Sequence, residues 1–398
     1  MDIELKPNTW ADFTMLKKAN ARAQNNFYAD ADVEVFKIIF QPERSLSAFE
    51  NGNIVGCTTS YSLDMTVPGG TVPIGAVAQV SVQTTHRRMG INTKLMKRQL
   101  SDMHEWGDPL SVLQASESII YGRYGYGMAS FEYTYDIERP HGSFAQKHQP
   151  KGRLSYIEED EARQVFPEVF ERATLLRNGM VKRNDTWWKF RFAQTGIRGG
   201  DPRAWFVKYE VEGRVDGYLW FAIKSAEFLT VKELITTTDD AYATLWQFCL
   251  DMDLVTSITA GRRADDEPLP WLLADPRRLK QTFKDASWIR IVDVPAALSA
   301  RTYSTNDGLV IQVRDPFLEW NDGRVLLEGG PEGAECEQTD REPDITLSAA
   351  DLGAAYLGGV KFQTMSHAGR VEENTPGALR RADAMFTTDL KPWCIDSW

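Results

Sequence analysis

The sequence predicts an α/β chain with mixed sheets, divided into three domains at residues 1–147, 148–287 and 288–398. Three observations lead to this reading. Strand and helix patterns alternate through the first 137 residues, as they do where helices pack on a central sheet. After a polar stretch at 139–153, a similar order of strand, turn, strand, strand and helix recurs between Ala204 and Met252. At 398 residues the chain also exceeds what one ordinary core accommodates.

The elements follow in order. Residues 45–63 read as a hairpin turning at Asn51-Gly52-Asn53, where Asn-Gly suits the positive φ angles of a tight turn. A loop at Pro68-Gly69-Gly70 leads into a strand over 74–82, and residues 83–90 break it. A helix is expected over 91–106, because Ile91, Leu95, Met96, Leu100 and Met103 share one face and Gly107 follows as a stop. Residues 110–114 form a strand, 115–121 begin a short helix, and 131–137 close this first sheet as its final strand. In the second copy, 204–223 form strand, turn and strand about Glu212-Gly213, followed by a strand at 231–236 and a helix at 241–252. Past Pro270 the pattern changes: strands at 287–292, 308–314 and 323–327, short helices at 294–300 and 376–386, and a strand entering a helix over 344–357. The final residues, 392–398, are aromatic where a frayed end is normally polar, so a docked tail is expected.

Composition narrows the function. The net charge of −11, from 45 Lys+Arg against 56 Asp+Glu, disfavours nucleic acid and anionic membrane and mildly favours a cationic substrate. Solubility explains the same number at least as well. No apolar run reaches the roughly 18 residues of a membrane span, and residues 1–10 carry Asp2 and Glu4 with no apolar core, so a cytoplasmic protein is expected. Cys57, Cys249, Cys336 and Cys394 are scattered, without a CxxC pair, among five dispersed His. Neither a metal site nor a disulfide framework is expected, and buried free thiols are the reading for the cysteines.

Two segments carry chemistry. In VSVQTTHRRMGIN (80–92) a strand runs into a basic turn that opens a helix. Free backbone N–H groups and the dipole at a helix start make an anion site. Arg87 and Arg88 add charge, and Gly90 permits close backbone approach. Alone, this segment is equally a basic cap on a solvated surface. The second segment, YGRYGY from Tyr121 to Tyr126, sets a Tyr four residues ahead of a Gly-aromatic pair.

Together these residues resemble the Gcn5-related N-acetyltransferase (GNAT) superfamily, which couples an Arg/Gln-x-x-Gly-x-Gly/Ala loop to a later Tyr-x-x-x-Gly-Phe. Arg87-x-x-Gly90-x-Asn92 departs at its last position, where Asn replaces a small residue. The resemblance implies acetyl-CoA as acyl donor, with no metal. It assigns coenzyme A contacts to Val80, Ser81, Val82, Arg87, Arg88, Met89, Gly90, Ile91, Asn92, Thr93, Ser116 and Glu117. It makes Tyr121 the acid that protonates the leaving thiolate and Tyr124 and Tyr126 packing residues. A backbone N–H near Val80–Val82 is the implied oxyanion donor. No Cys or Ser stands in a nucleophile motif, which agrees with direct transfer.

The likeness narrows to the Eis-like (enhanced intracellular survival) branch through ASESIIYGRYGYG (115–127), DEPLPWLLADPRRL (266–279), WIRIVDVPAALSARTY (288–303) and LGAAYLGGV (352–360). This implies tandem GNAT-like domains followed by a sterol-carrier-protein-like C-terminal domain, assembled as a homohexamer. It implies acetylation of amines on cationic substrates, aminoglycosides among them. The family's terminal carboxylate acts as base, a role that maps onto Trp398; the alternative is a tail that only pins the third domain. The second copy carries Thr236-Thr-Thr-Asp-Asp-Ala where the first has THRRMG, so that domain should be silent. Phe27, Asp30, Asp32, Glu34 and Phe36 fall where GNAT proteins contact acceptors, and a solvated acidic helix explains them equally. Two competing functions stay open: transfer of a longer acyl group, and a lipid carrier with a vestigial acetyltransferase site.

Overall fold

The computed structural model describes residues 3–194, 204–225 and 227–398. The chain forms two compact units, one of Met1–Ser130, Ala286–Pro392 and Asp396–Trp398, the other of Phe131–Asp285 and Trp393–Ile395. Among the described residues no helix is long and apolar enough to cross a membrane.

The first unit holds two sheets. Its seven-stranded sheet runs, edge to edge, Glu4–Pro7, Ser45–Glu50, Asn53–Val67, Gly70–Val82, Leu110–Gln114, Ser287–Ile291 and Gly127–Met128. Asn51 and Gly52, both at positive φ (50° and 78°), make the two-residue turn of its first hairpin. The helix Ile91–Trp106 lies on this sheet. It buries Ile91 and Leu95 against Leu46 and Val55, and Met96, Leu100 and Met103 against Val77 and Leu113. Gly107, at φ 80°, ends it in the left-handed cap that glycine adopts without strain. Truncating one of these buried side chains, as in Leu100→Ala, is expected to cost about 2–5 kcal/mol. The five-stranded sheet, Gly333–Gln338, Gly323–Gly330, Asp307–Arg314, Ile345–Ser348 and Val371–Glu373, carries the helices Val294–Ser299, Ala349–Ala355 and Ala378–Phe386.

The second unit has its own seven-stranded sheet: Lys280–Asp285, Phe131–Glu138, Ser257–Arg263, Phe228–Thr236, Arg214–Lys224, Trp205–Val211 and Arg153–Ile157. Helices Glu159–Thr174, Asp185–Ala193 and Asp239–Asp251 belong to it.

Two strands lie in different sheets from those expected. The strand over 131–137 does not close the first sheet; it lies between Ser257–Arg263 and Lys280–Asp285 in the second. Ser287–Ile291 does not open the third domain; it pairs antiparallel with Leu110–Gln114 in the first sheet, with all five residues buried. Sequential strands neighbour one another only about two-thirds of the time, and alternation marks a strand without naming its partner.

Candidate active site

The site grows from a break in the sheet. Gly70–Val82 pairs with Leu110–Gln114 through only Ile74, Gly75 and Ala76; beyond them the two strands part. On its other edge the register with Asn53–Val67 shifts between Cys57 and Thr59, and Gln79 takes a φ of 55°. This is a β-bulge, which re-aims the backbone at Gln79–Val80. Neighbours hold it in place. Asn20 Nδ2 donates to Gln79 O and Ser81 Oγ, both at 3.2 Å, and Gln79 Nε2 donates to the Tyr61 hydroxyl at 3.0 Å.

Past Val82 the chain turns through Arg88 (φ 66°) and Gly90 (φ 76°) into the helix Ile91–Trp106. No side chain caps this helix start, so its first N–H groups are left for another acceptor. The cleft between this turn and the Tyr121 segment has a volume of about 770 Å³. Of the coenzyme A contacts expected from sequence, all but Met89, which is 40% exposed, line it: Val80, Ser81, Val82, Arg87, Arg88, Gly90, Ile91, Asn92, Thr93, Ser116 and Glu117. Arg87 also donates to Ala23 O at 2.9 Å, tying the turn to the helix Phe13–Ala23. One of its donors is thereby committed.

Tyr121 forms part of the facing wall and is 6% exposed. Burial, with smaller contributions from Tyr124 and Glu117, pushes its phenol up to about 12, against a lowering hydrogen bond from Ser116. It therefore stays protonated at neutral pH. Tyr126 packs edge-on against it at 6.0 Å and exchanges a 2.7 Å hydrogen bond with Ser111 Oγ. Tyr124 does more than pack, since it lines the cleft and its hydroxyl accepts from Asn92 Nδ2 at 3.1 Å. That bond is what the departure at Asn92 does locally. Gly125, at φ 83°, lies against the buried Arg290 guanidinium; a Cβ there would come within 2.6 Å of it. Arg290 is held by Asp315 at 2.6 Å.

The chain end enters the same gap. The indole of Trp398 donates from Nε1 to Val77 O at 2.8 Å, one residue past the last paired position. Gln114 Nε2, on the opposite strand, donates to Asp396 O at 2.7 Å. The acceptor candidates sit elsewhere, on and before the helix Asp30–Lys37, and none of Phe27, Asp30, Asp32, Glu34 and Phe36 lines the cleft. Phe27 is 83% exposed; Asp30 and Glu34 are exposed, Glu34 pairs with Lys37 at 2.5 Å, and the half-buried Asp32 accepts from Ala29 N at 3.2 Å. Phe36 is half-buried with the Lys17 ammonium 3.6 Å from its ring centre.

Ala23–Asn25, His86, Ile120, Arg123 and Tyr124 also line the cleft and were not anticipated as contacts. Arg123 and Tyr124 lie inside the YGRYGY motif, which could have revealed them. Ala23–Asn25 arrive from the end of a distant helix and carry no such signal. Among the described residues no group of three His, Cys, Asp or Glu side chains could hold a metal ion.

The acetyltransferase (GNAT) domain family matches this chain at residues 4–129 and again at 179–291, and the sterol carrier protein domain family matches 294–395. An uncharacterized N-acetyltransferase of Streptomyces avermitilis is 36% identical, covering 97% of this chain and 96% of its own. The N-acetyltransferase Eis of Mycobacterium tuberculosis is 32% identical over 85% of this chain and 84% of its own. The crystal structure of Eis1 from Mycobacterium abscessus shares 33% identity, with a TM-score of 0.87 and 100% of both chains covered. GNAT acetyltransferases use acetyl-CoA and an amine acceptor. With tandem GNAT domains and a sterol-carrier-like domain, this chain belongs to the Eis-like N-acetyltransferases of the GNAT superfamily.

Proposed function

We propose that the enzyme acetylates primary amines of polycationic small molecules, aminoglycoside-like in charge and size, by direct transfer from acetyl-CoA. The coenzyme's pyrophosphate would lie at the uncapped start of Ile91–Trp106, beside Arg88, and its thioester at the bulge by Val80. The amine lone pair attacks the thioester carbonyl carbon, and a backbone N–H of the Val80–Val82 segment donates to the oxygen as it gains charge. Collapse breaks the C–S bond, and the sulfur takes the Tyr121 proton. The proton shed by the attacking nitrogen passes to the Trp398 carboxylate and returns through water to Tyr121. The products are the acetamide and free coenzyme A.

The observation that carries this reading is a buried Tyr121 on the wall opposite an uncapped helix start. The net charge of −11 mildly favours a cationic acceptor. In this reading the second GNAT-like domain is silent, and by resemblance the enzyme works as a cytoplasmic homohexamer, which analytical ultracentrifugation tests.

Tyr121→Phe should keep coenzyme A affinity and lower turnover by roughly 10²-fold or more. Normal turnover in that variant removes Tyr121 from the mechanism. A short carboxyl-terminal extension should likewise abolish turnover while an amino-terminal one does not, at matched melting temperatures. The acceptor class is read by screening amines with a free-thiol assay.

A further inference from the structure

We propose that the chain end is also the ruler that limits the length of the transferred acyl group, an inference that rests on the thioester lying at the bulge. The gap between Gly70–Val82 and Leu110–Gln114 begins where pairing stops, at Ala76 and Val112. The tail is fixed to both strands just past that point, through the Trp398 indole on Val77 O and through Asp396 O on Gln114 Nε2. It bridges the narrow end of the gap. From Val77 to Val80 the strand covers roughly 10 Å, at about 3.3 Å per residue. The indole, the terminal carboxylate and the acyl group must all fit in that length. A two-carbon group leaves the tail where it is; a six-carbon chain would have to run through the indole.

The tail does not yield easily. Residues 393–396 leading into Trp398 are buried, with Cys394 at 0% and Asp396 at 1% exposure. Displacing the half-buried indole also strips the Val77 carbonyl of this donor, so the hydrogen bond opposes any chain that pushes in. The width of the cleft at the pantetheine end is then irrelevant to donor choice, because selection occurs at the far end of the gap.

The test compares acetyl-CoA, butyryl-CoA and hexanoyl-CoA as donors to one amine, with a free-thiol readout. Wild-type enzyme should lose kcat/KM steeply along that series. Trp398→Ala keeps the terminal carboxylate and removes the indole, and should raise the hexanoyl-to-acetyl ratio of kcat/KM by about tenfold or more, the scale set by a few methylenes in a closed pocket. Gln114→Ala, which frees the other anchor, should move the ratio the same way by less. Should Trp398→Ala turn over too slowly to measure, calorimetry compares its affinity for hexanoyl-CoA with that for acetyl-CoA, and this affinity ratio should rise relative to wild type. An unchanged ratio, or wild-type enzyme that uses hexanoyl-CoA as readily as acetyl-CoA, overturns the proposal while leaving acetyl transfer intact. Failure of the wild type to bind coenzyme A at all would overturn the underlying reading as well.

Discussion

The two GNAT units begin their long helices from equivalent places and treat them in opposite ways. In the first, Gly90 opens Ile91–Trp106 with no side-chain cap, and the turn before it brings Arg87 and Arg88. In the second, the strand Phe228–Thr236 passes almost directly into Asp239–Asp251. There Thr238 accepts from Ala241 N at 3.2 Å, and Asp239 and Asp240 fill the first turn. The Asp240 carboxylate accepts from the Tyr209 hydroxyl and from Lys151 N. The second helix start is satisfied from within the protein and carries the charge an incoming phosphate would need to displace. The first is left open and basic.

The strands tell the same story. Both shift register, between Cys57 and Thr59 in one pairing and between Trp220 and Phe221 in the other. Past the shift, Val80–Val82 are half-buried on the cleft, whereas Glu233 is fully buried, gripped by Arg183 at 2.9 and 3.0 Å and by the Tyr218 hydroxyl at 2.8 Å. The same backbone feature therefore holds different side chains in the two units: an accessible strand end in one, a buried ion pair in the other.

The largest expected effect tests that ion pair. Glu233→Gln removes the carboxylate that grips the buried Arg183 and should destabilise the second unit by up to about 3–5 kcal/mol. Coenzyme A affinity should not change, which calorimetry on the folded variant checks. Burial alone would raise the Glu233 carboxyl, but Arg183 and Arg191 outweigh it and hold it at about 2. Its contribution is thus present above the usual carboxyl range and lost only as pH falls through that value. The variant should flatten the acid dependence of unfolding between the two. An affinity change with unaltered stability would reverse the comparison.

Next in size is Arg88→Glu, which puts a negative charge at the helix start where we propose the phosphates lie and should weaken coenzyme A binding by about tenfold or more. Raising the salt concentration should shrink the difference between variant and wild type. An unchanged dissociation constant would put the phosphates elsewhere.

The sequence revealed the open helix start and left the ion pair hidden, for a physical reason. Strand, basic turn, Gly90 and apolar stripe lie within 27 consecutive residues, 80–106, and local rules read such a stretch well. Tyr121 was legible through its spacing from Gly125. Glu233 meets Arg183 across 50 residues, and Arg290 meets Asp315 between two sheets; no local pattern encodes either. Nor did the pattern reveal that Phe131–Glu138 and Ser287–Ile291 lie in different sheets from those their sequence neighbours suggest. The helix Glu159–Thr174 was missed too, and it carries Pro167 in its interior, where proline normally argues against a helix. The docked tail was anticipated from its aromatic residues, but its grip on Val77 and Gln114 came only with coordinates.

The smallest effect separates the two helix starts most cleanly. Thr238→Ala removes the cap of Asp239–Asp251 and should cost about 1 kcal/mol. For a unit of this size that is a fall of roughly 2–4 °C in Tm. Asp239 and Asp240 remain, so the local charge is unchanged and only the hydrogen bond is lost. Coenzyme A affinity and turnover should both match the wild type, because in this reading the second helix start binds nothing. The matching substitution in the first unit is Gly90→Ala, where the φ of 76° strains any side chain while nothing lies within 4 Å of the added Cβ. Its stability loss should be similar, about 1–2 kcal/mol, but the methyl would project where the phosphates approach, and affinity should fall severalfold. If Thr238→Ala alters affinity, the second unit takes part in binding the donor. If Gly90→Ala leaves affinity untouched, close backbone approach at Gly90 is not how the pyrophosphate is held.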